Sequence, residues 1–181
     1  MKKTLIIFLI MFSFFSKGNS AYEKLAYEFN FNGIEGNLIA LKDYENKVIV
    51  VVNVASRCGF TNQYEDLQTL WSNYKEKDLV VLGVPTNNFK QEPGSNKEIK
   101  DFCETNFNVN FPMTEKIDVI GNNAHPFFNW AKENHGKSAM PKWNFHKIII
   151  GKDGKVADTF SSITKPSSQR FINLIEKEIK N

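Results

Sequence analysis

The sequence has little cysteine, little net charge and no long apolar run, and each shortage excludes a class of protein. Its 181 residues include only two cysteines, without a Cys-x-x-Cys pair, which argues against a dithiol exchange enzyme. The net charge is only +3 and no run of Lys or Arg exceeds two residues, so no nucleic-acid partner is expected. The histidines lack the spacing of metal ligands, so neither a metal nor another cofactor is predicted; they are His125, His135 and His146.

The first twenty residues have the order of a targeting segment. Lys2 and Lys3 precede an apolar run over residues 5–15, and residues 17–21 supply small side chains for cleavage. This order predicts a cleaved signal peptide over residues 1–20, with an uncleaved anchor as the alternative. The run is shorter than the roughly 20 residues that span a bilayer, so stable membrane insertion is not expected. Residues 21–181 are then a single domain that is secreted or periplasmic, where disulfides persist.

The stretch over residues 48–61 organises the rest of the chain. It begins as a β-branched apolar run, typical of a strand that is buried on both faces, and it ends in a small, polar turn that carries Cys58. Apolar residues at helical spacing follow and predict a helix over 62–75; they are Leu67, Leu70, Trp71 and Tyr74. This order holds a thiol at the positive end of a helix dipole, beside Arg57, where the thiolate is favoured. A lone activated thiol suits attack on a peroxide, which leaves a sulfenic acid.

Strand and helix patterns alternate along the rest of the chain. A capping box at Ser95 and Glu98 opens one helix, and His125 with Pro126 starts another. The remaining predicted elements are a hairpin over 26–41, strands over 79–84 and 117–120, a hairpin over 147–160 and a helix over 166–180. The fold class is therefore α/β, with a mixed sheet, helices on both faces, and the order of a thioredoxin-like fold with an added N-terminal β-hairpin.

Peroxide cleavage needs hydrogen-bond donors for the thiolate and for the departing alkoxide. Gln91 and the Trp143–Asn144 pair offer neutral amide and indole donors, and they lie in predicted loops, where site residues tend to occur. On spacing alone, a surface glutamine and a core tryptophan are the ordinary explanations of these residues.

Four segments resemble the glutathione peroxidase family in its cysteine form. They are residues 46–61 around Cys58, residues 91–96, residues 124–126 and residues 143–145, in the order that the family has. The resemblance covers residues 25–180 and implies a thioredoxin-like fold and a thiol peroxidase that reduces hydrogen peroxide and lipid hydroperoxides in defence against oxidative stress. It implies Cys58 as the peroxidatic nucleophile and the following hydrogen-bonding partners: Gln91, Trp143 and Asn144.

The sequence departs from the family pattern in two places. Where the family has Pro-Cys-Asn-Gln-Phe, this chain has Thr86 and Asn88 in place of Cys and Gln, and the next loop lacks a glycine before Gln91. Thioredoxin-dependent members carry a resolving cysteine in the helix that Ser95 opens, and Cys103 lies there, one residue early against the plant-type pattern. Cys103 shares a helix face with apolar residues, so the sequence allows two roles for it, a resolving cysteine and a buried core thiol.

The resemblance also implies the partners. The reductant is glutathione or a thioredoxin-like protein, and the short stretch between Trp130 and Trp143 resembles monomeric members, so a monomer is expected. A different class of function stays open, in which a non-enzymatic thioredoxin-like interaction protein carries a structural Cys58–Cys103 disulfide.

Overall fold

The fold is given by a computed structural model that describes residues 22–181. A two-stranded hairpin, β1 and β2, precedes a four-stranded sheet, β3 to β6, and four helices, α1 to α4, accompany the sheet. The strands are β1 Asn30–Asn32, β2 Leu38–Ala40, β3 Val48–Val54, β4 Leu79–Pro85, β5 Lys147–Ile150 and β6 Val156–Phe160. The helices are α1 Gln63–Tyr74, α2 Asn96–Phe107, α3 Pro126–His135 and α4 Gln169–Lys180. The predicted signal peptide lies outside the described residues and stays a prediction.

The four-stranded sheet has the order β4-β3-β5-β6, so β3 is an inner strand. It pairs in parallel with β4 and antiparallel with β5, which makes the sheet mixed, as predicted. All seven residues of β3 and all seven of β4 are buried, which explains why these strands read as continuous apolar runs.

Two cores lie on opposite faces of the sheet, because successive side chains of a strand point to opposite sides. Val50, Val52 and Val54 belong to the first core, together with buried residues of α1, α2 and α4. Val51 belongs to the second, together with buried residues of α3 and of the N-terminal hairpin. The predicted helices on both faces are therefore confirmed, and so is the hairpin, in which Phe31 lies opposite Ile39.

The strand predicted over 117–120 is wrong, since no strand is formed there. The side-chain oxygen Oδ1 of Asn88 accepts hydrogen bonds from the backbone N–H groups of Val119, at 2.7 Å, and Ile120, at 3.2 Å. A side chain therefore takes up the donors that a strand would have used in a sheet. The chain instead meets β4 at an isolated bridge between Met113 and Gly83, and the Ile117 N–H donates to the Pro85 carbonyl at 3.0 Å.

The helices of the described part of the chain do not have the properties of membrane-spanning segments. Among residues 22–181, none combines the length and the apolar character that crossing a bilayer requires.

Candidate active site

Three loops meet at the carboxyl end of β3. Val54, the last residue of β3, lies beside Pro85 of β4, and Val52 lies opposite Lys147, the first residue of β5. The loops that follow β3 and β4 and the loop that precedes β5 therefore leave the sheet at one edge. Open α/β sheets place their sites at this edge. These loops carry all four residues predicted for the site: Cys58, Gln91, Trp143 and Asn144.

Cys58 sits in a tight turn between β3 and α1. The Thr61 hydroxyl accepts the Cys58 N–H at 3.1 Å and lies 2.6 Å from the Cys58 carbonyl oxygen, to which it donates. The Phe60 N–H points at the sulfur of Cys58, with 3.4 Å between nitrogen and sulfur. The side chain is only 8% exposed. The turn thus holds a nearly buried thiol beside an oriented amide donor, ahead of the first turn of α1.

Gln91 and Asn144 are in direct contact. The Asn144 side-chain nitrogen Nδ2 donates to Oε1 of Gln91 at 2.8 Å. The Gln91 carbonyl accepts the N–H of Arg57 at 3.0 Å, and Arg57 directly precedes Cys58. The structure therefore brings Gln91 and Asn144 together and ties Gln91 to the turn that carries the thiol.

Trp143 is the most exposed of the four predicted residues, at 41%. Its ring packs against Phe89, with 5.5 Å between centroids. The buried Asn53 near the end of β3 donates from Nδ2 to the Trp143 carbonyl at 3.1 Å, and its own carbonyl accepts the Phe145 N–H at 2.6 Å. Asn53 therefore fixes the backbone on both sides of Asn144.

Strained backbone flanks both amide residues. Lys90, before Gln91, has φ of 59°, and Phe145, after Asn144, has φ of 62°. A left-handed conformation costs a residue with a side chain on the order of 1–3 kcal/mol, and such residues cluster at functional sites. Lys90 adopts a left-handed conformation, which a glycine takes most easily. The loop therefore brings Gln91 to Asn144 although it has no glycine before Gln91.

Glu92 is a buried anchor that sequence reasoning did not assign. Its Oε2 accepts from the Ser56 N–H at 2.7 Å and from the Ser56 hydroxyl at 2.8 Å. Its own N–H donates to Oδ1 of Asn87 at 3.0 Å. Burial raises the pKa of Glu92, and the two bonds from Ser56 act in the opposite direction. Glu92 thus joins the Gln91 loop to the turn of Cys58; its one sequence signal was its place next to Gln91.

Cys103 lies in the first core, on the face of α2 that also buries Ile99. It is fully buried, and burial raises the pKa of its thiol to about 12. Cys58 belongs to the same core, and both cysteines are free thiols. In this conformation Cys103 is the buried core thiol that the sequence offered as one alternative.

The histidine that was predicted to start a helix does so. Nδ1 of His125 accepts the Phe127 N–H at 3.3 Å, its Nε2 lies 2.9 Å from the Asn30 carbonyl, and its ring stacks on Phe31 at 4.1 Å. These contacts give His125 a structural role. Within the described part of the chain, no three His, Cys, Asp or Glu side chains are grouped so as to hold a metal ion.

Comparison with known proteins gives one family and one fold. A family model described as glutathione peroxidase matches residues 26–132. The chain is 44% identical over 149 residues to the hydroperoxy fatty acid reductase gpx1 of Synechocystis sp., across 77% of this chain and 88% of that protein. The crystal structure of Trgpx in apo form superposes with a TM-score of 0.70 at 36% identity, covering 88% of this chain and 97% of that one.

A more distant likeness shows the fold alone. A thiol:disulfide interchange protein of the thioredoxin family from Chlorobium tepidum superposes with a TM-score of 0.64 at 12% identity, covering 83% of this chain and 92% of that one. The predicted thioredoxin-like fold with an N-terminal hairpin is confirmed.

Proposed function

The chain belongs to the glutathione peroxidase family, and from that premise we propose that Cys58 is the residue that attacks the peroxide. The protein is a peroxidase that reduces hydroperoxides with a thiol, in defence against oxidative stress. The observation that carries the assignment of the site is the convergence of three loops at the end of β3, with the Gln91–Asn144 bond of 2.8 Å beside the turn of Cys58.

The reaction forms one bond and breaks one. The Cys58 thiolate attacks the outer oxygen of the hydroperoxide, the S–O bond forms, the O–O bond breaks, and the departing alkoxide takes a proton and leaves as an alcohol or water. The Phe60 N–H points at the sulfur, and in this proposal two further neutral donors serve the reaction: the amide nitrogen of Gln91, whose oxygen is engaged by Asn144, and the Trp143 indole. Neutral donors stabilise developing negative charge without a metal.

Cys103 supplies the second thiol of the cycle in this proposal. A sulfenic acid is reduced when a second thiol condenses with it to a disulfide. Cys103 shares the core of Cys58, but it is fully buried in α2, so α2 must open locally before the two sulfurs can bond. The disulfide is then a substrate for a thioredoxin-like reductant, in preference to glutathione.

The structure also supports a substrate with an apolar body. Trp143 and Ile163 expose large apolar side chains, at 41% and 79%. Ser162, next to Ile163, lines a cavity of about 230 Å³ together with Trp143. A cavity lined by the exposed Trp143 of the predicted site can take a fatty-acyl chain, and the Synechocystis relative is named a hydroperoxy fatty acid reductase. We therefore include lipid hydroperoxides among the substrates, and access for them fits a monomer.

The test of the site compares Cys58→Ser with Cys103→Ser. Cys58→Ser should abolish consumption of hydrogen peroxide, because no nucleophile remains. Cys103→Ser should still reduce one equivalent of peroxide, accumulate a sulfenic acid at Cys58 that mass spectrometry detects, and lose turnover with thioredoxin. Peroxide consumption by Cys58→Ser at the wild-type rate would overturn the assignment of Cys58. Full thioredoxin-driven turnover by Cys103→Ser would remove Cys103 from the cycle.

A further inference from the structure

Lys147, the first residue of β5, buries an ammonium group without an acidic partner. The residue is 0% exposed, and no ion pair among residues 22–181 includes it. Burial lowers the pKa of Lys147 to about 7, and Asp66 acts in the opposite direction. A buried charge without an opposite charge is costly, and an apolar side chain of similar size would avoid that cost. What Lys147 contributes instead is the pair of hydrogen bonds that its ammonium group donates.

These two bonds tie α1 to the turn that follows β6. Nζ of Lys147 donates to Oε1 of Gln63, the first residue of α1, at 2.5 Å and to the Thr164 carbonyl at 2.7 Å. Gln63 is itself buried, and its Nε2 donates to the Ser162 carbonyl at 2.7 Å. The Gln63 amide is fixed in this orientation, because turning it over would point its own N–H groups at the ammonium. Three bonds thus hold residues 162–164 against a helix and a strand of the sheet.

The same turn forms one wall of the cavity beside Trp143. Ser161 and Ser162 line this cavity of about 230 Å³ together with the Trp143 side chain. The turn is closed by the Thr164 N–H, which donates to the Ser161 carbonyl at 3.1 Å, so the bonds to residues 162 and 164 place the whole turn. The position of this wall relative to Trp143 therefore depends on the two buried side chains that hold the turn.

Building on the proposed function, in which an acyl chain enters this cavity, we propose that Lys147 and Gln63 are positioning residues that hold the 161–164 turn as the cavity wall for the body of a lipid hydroperoxide. Both side chains are buried, so they act through the turn and do not contact the substrate. The apparent affinity for a ligand falls with the fraction of the protein that has the binding-competent arrangement. Hydrogen peroxide has no acyl body and does not need the wall. The two residues therefore set the preference for a lipid hydroperoxide over hydrogen peroxide.

The test is Lys147→Met, with Lys152→Met as the matched control. Methionine fills similar space but removes both bonds, and a hydrogen bond to a charged group corresponds to about a tenfold change in an equilibrium. The kcat/KM for a hydroperoxy fatty acid, divided by that for hydrogen peroxide, should therefore fall about tenfold. Lys152 lies beyond the other end of β5, and its Nζ donates to the Ile179 carbonyl at 2.6 Å. Its substitution should leave the quotient at the wild-type value.

Gln63→Glu is a second variant, which serves if Lys147→Met does not fold. The new carboxylate still accepts from Lys147 and gives the ammonium an opposite charge, but it places an oxygen against the Ser162 carbonyl, so that bond is lost. Because one hydrogen bond between neutral groups corresponds to about a fivefold change in an equilibrium, the quotient should fall about fivefold.

The two peroxides distinguish a positioning role from a general loss of structure. A general defect lowers both kcat/KM values together and leaves their quotient unchanged. An unchanged quotient in a folded Lys147→Met protein, or in Gln63→Glu, would overturn the positioning role while leaving the lipid substrate in place. No turnover of the hydroperoxy fatty acid by the wild type would instead overturn the proposed lipid substrate, and this inference with it.

Discussion

Single side chains around Cys58 divide into those that hold the turn and those that face outward. Glu92 and Asn53 are buried and fix backbone, so their contribution is to keep Gln91 and Asn144 within reach of the thiol. Misplacement of reacting groups by about 1 Å can cost about 100-fold in rate. Trp143 and Ile163 face outward, and they are the residues that can contact the body of a substrate.

Substitution of Ile163 should affect a lipid hydroperoxide and spare hydrogen peroxide. Ile163→Ser removes an exposed apolar side chain beside the cavity that Trp143 lines, so the acyl chain loses a contact. Each CH₂ that is no longer buried costs about 0.8 kcal/mol, so the loss of one such contact should lower kcat/KM for a hydroperoxy fatty acid about fourfold. Steady-state assays with a hydroperoxy fatty acid and with hydrogen peroxide measure the ratio of the two kcat/KM values.

Leu38→Ser is the control for that substitution. Leu38 is 66% exposed but belongs to β2 of the N-terminal hairpin, away from the three loops of the site. Its ratio of activities should match the wild type. Equal ratios for Ile163→Ser, Leu38→Ser and the wild type would show that Ile163 does not contact the acyl chain.

Among the helices, α2 carries Cys103, the second thiol of the proposed cycle. Its N-cap is Ser95, whose hydroxyl oxygen accepts the Glu98 N–H at 3.3 Å, while Glu98 accepts the Ser95 N–H at 2.7 Å. This capping box was predicted from the sequence, because Ser followed three residues later by Glu is a local signal. Cys103 lies two turns further on, and its exposure requires the helix to open.

Loss of the cap should make Cys103 easier to reach. Ser95→Ala is expected to destabilise α2 by about 1 kcal/mol, which corresponds to a population of open helix about fivefold larger. In a Cys58→Ser background, the rate at which a thiol reagent labels Cys103 measures that opening directly and should rise about fivefold.

Ser168→Ala provides the comparison, since Ser168 occupies the N-cap of α4 but its side chain makes no capping bond. Labelling of Cys103 should be unchanged there. An unchanged rate in Ser95→Ala as well would mean that Cys103 becomes accessible by a route that leaves the start of α2 intact.

At the scale of the whole molecule, the surface offers little for self-association. Only three large apolar side chains are exposed among residues 22–181, and they lie on β2, before β5 and after β6. A stable interface buries about 800 Å² on each partner around an apolar centre. The surface therefore supports the proposed monomer.

The molecular mass of the protein in solution tests whether it is a monomer. Light scattering after size-exclusion chromatography should give the mass of one chain, and the mass should not change when the protein is diluted about tenfold, because association depends on concentration. A mass of two or more chains at every dilution would contradict the monomer and would require an interface that the exposed apolar residues do not reveal.

Local patterns in the chain were enough to predict several parts of the protein. The apolar run of β3, the turn with Cys58, the helical spacing of α1 and the capping box of α2 each depend on residues a few positions apart. The predicted bounds of α1 differ from Gln63–Tyr74 by one residue at each end, and the quoted family motifs added the candidate roles of Gln91, Trp143 and Asn144.

The folding of distant segments onto one another settles which of these residues meet. The Gln91–Asn144 bond joins positions 53 residues apart, the Ser56–Glu92 bonds join positions 36 apart, and Tyr64 of α1 packs against Phe107 of α2. It also decided that residues 117–120 form no strand, because the Asn88 side chain, from a distant loop, accepts the N–H groups of Val119 and Ile120. No periodicity encodes such contacts, since they arise when the sheet brings three loops to one edge and the buried polar groups there find partners.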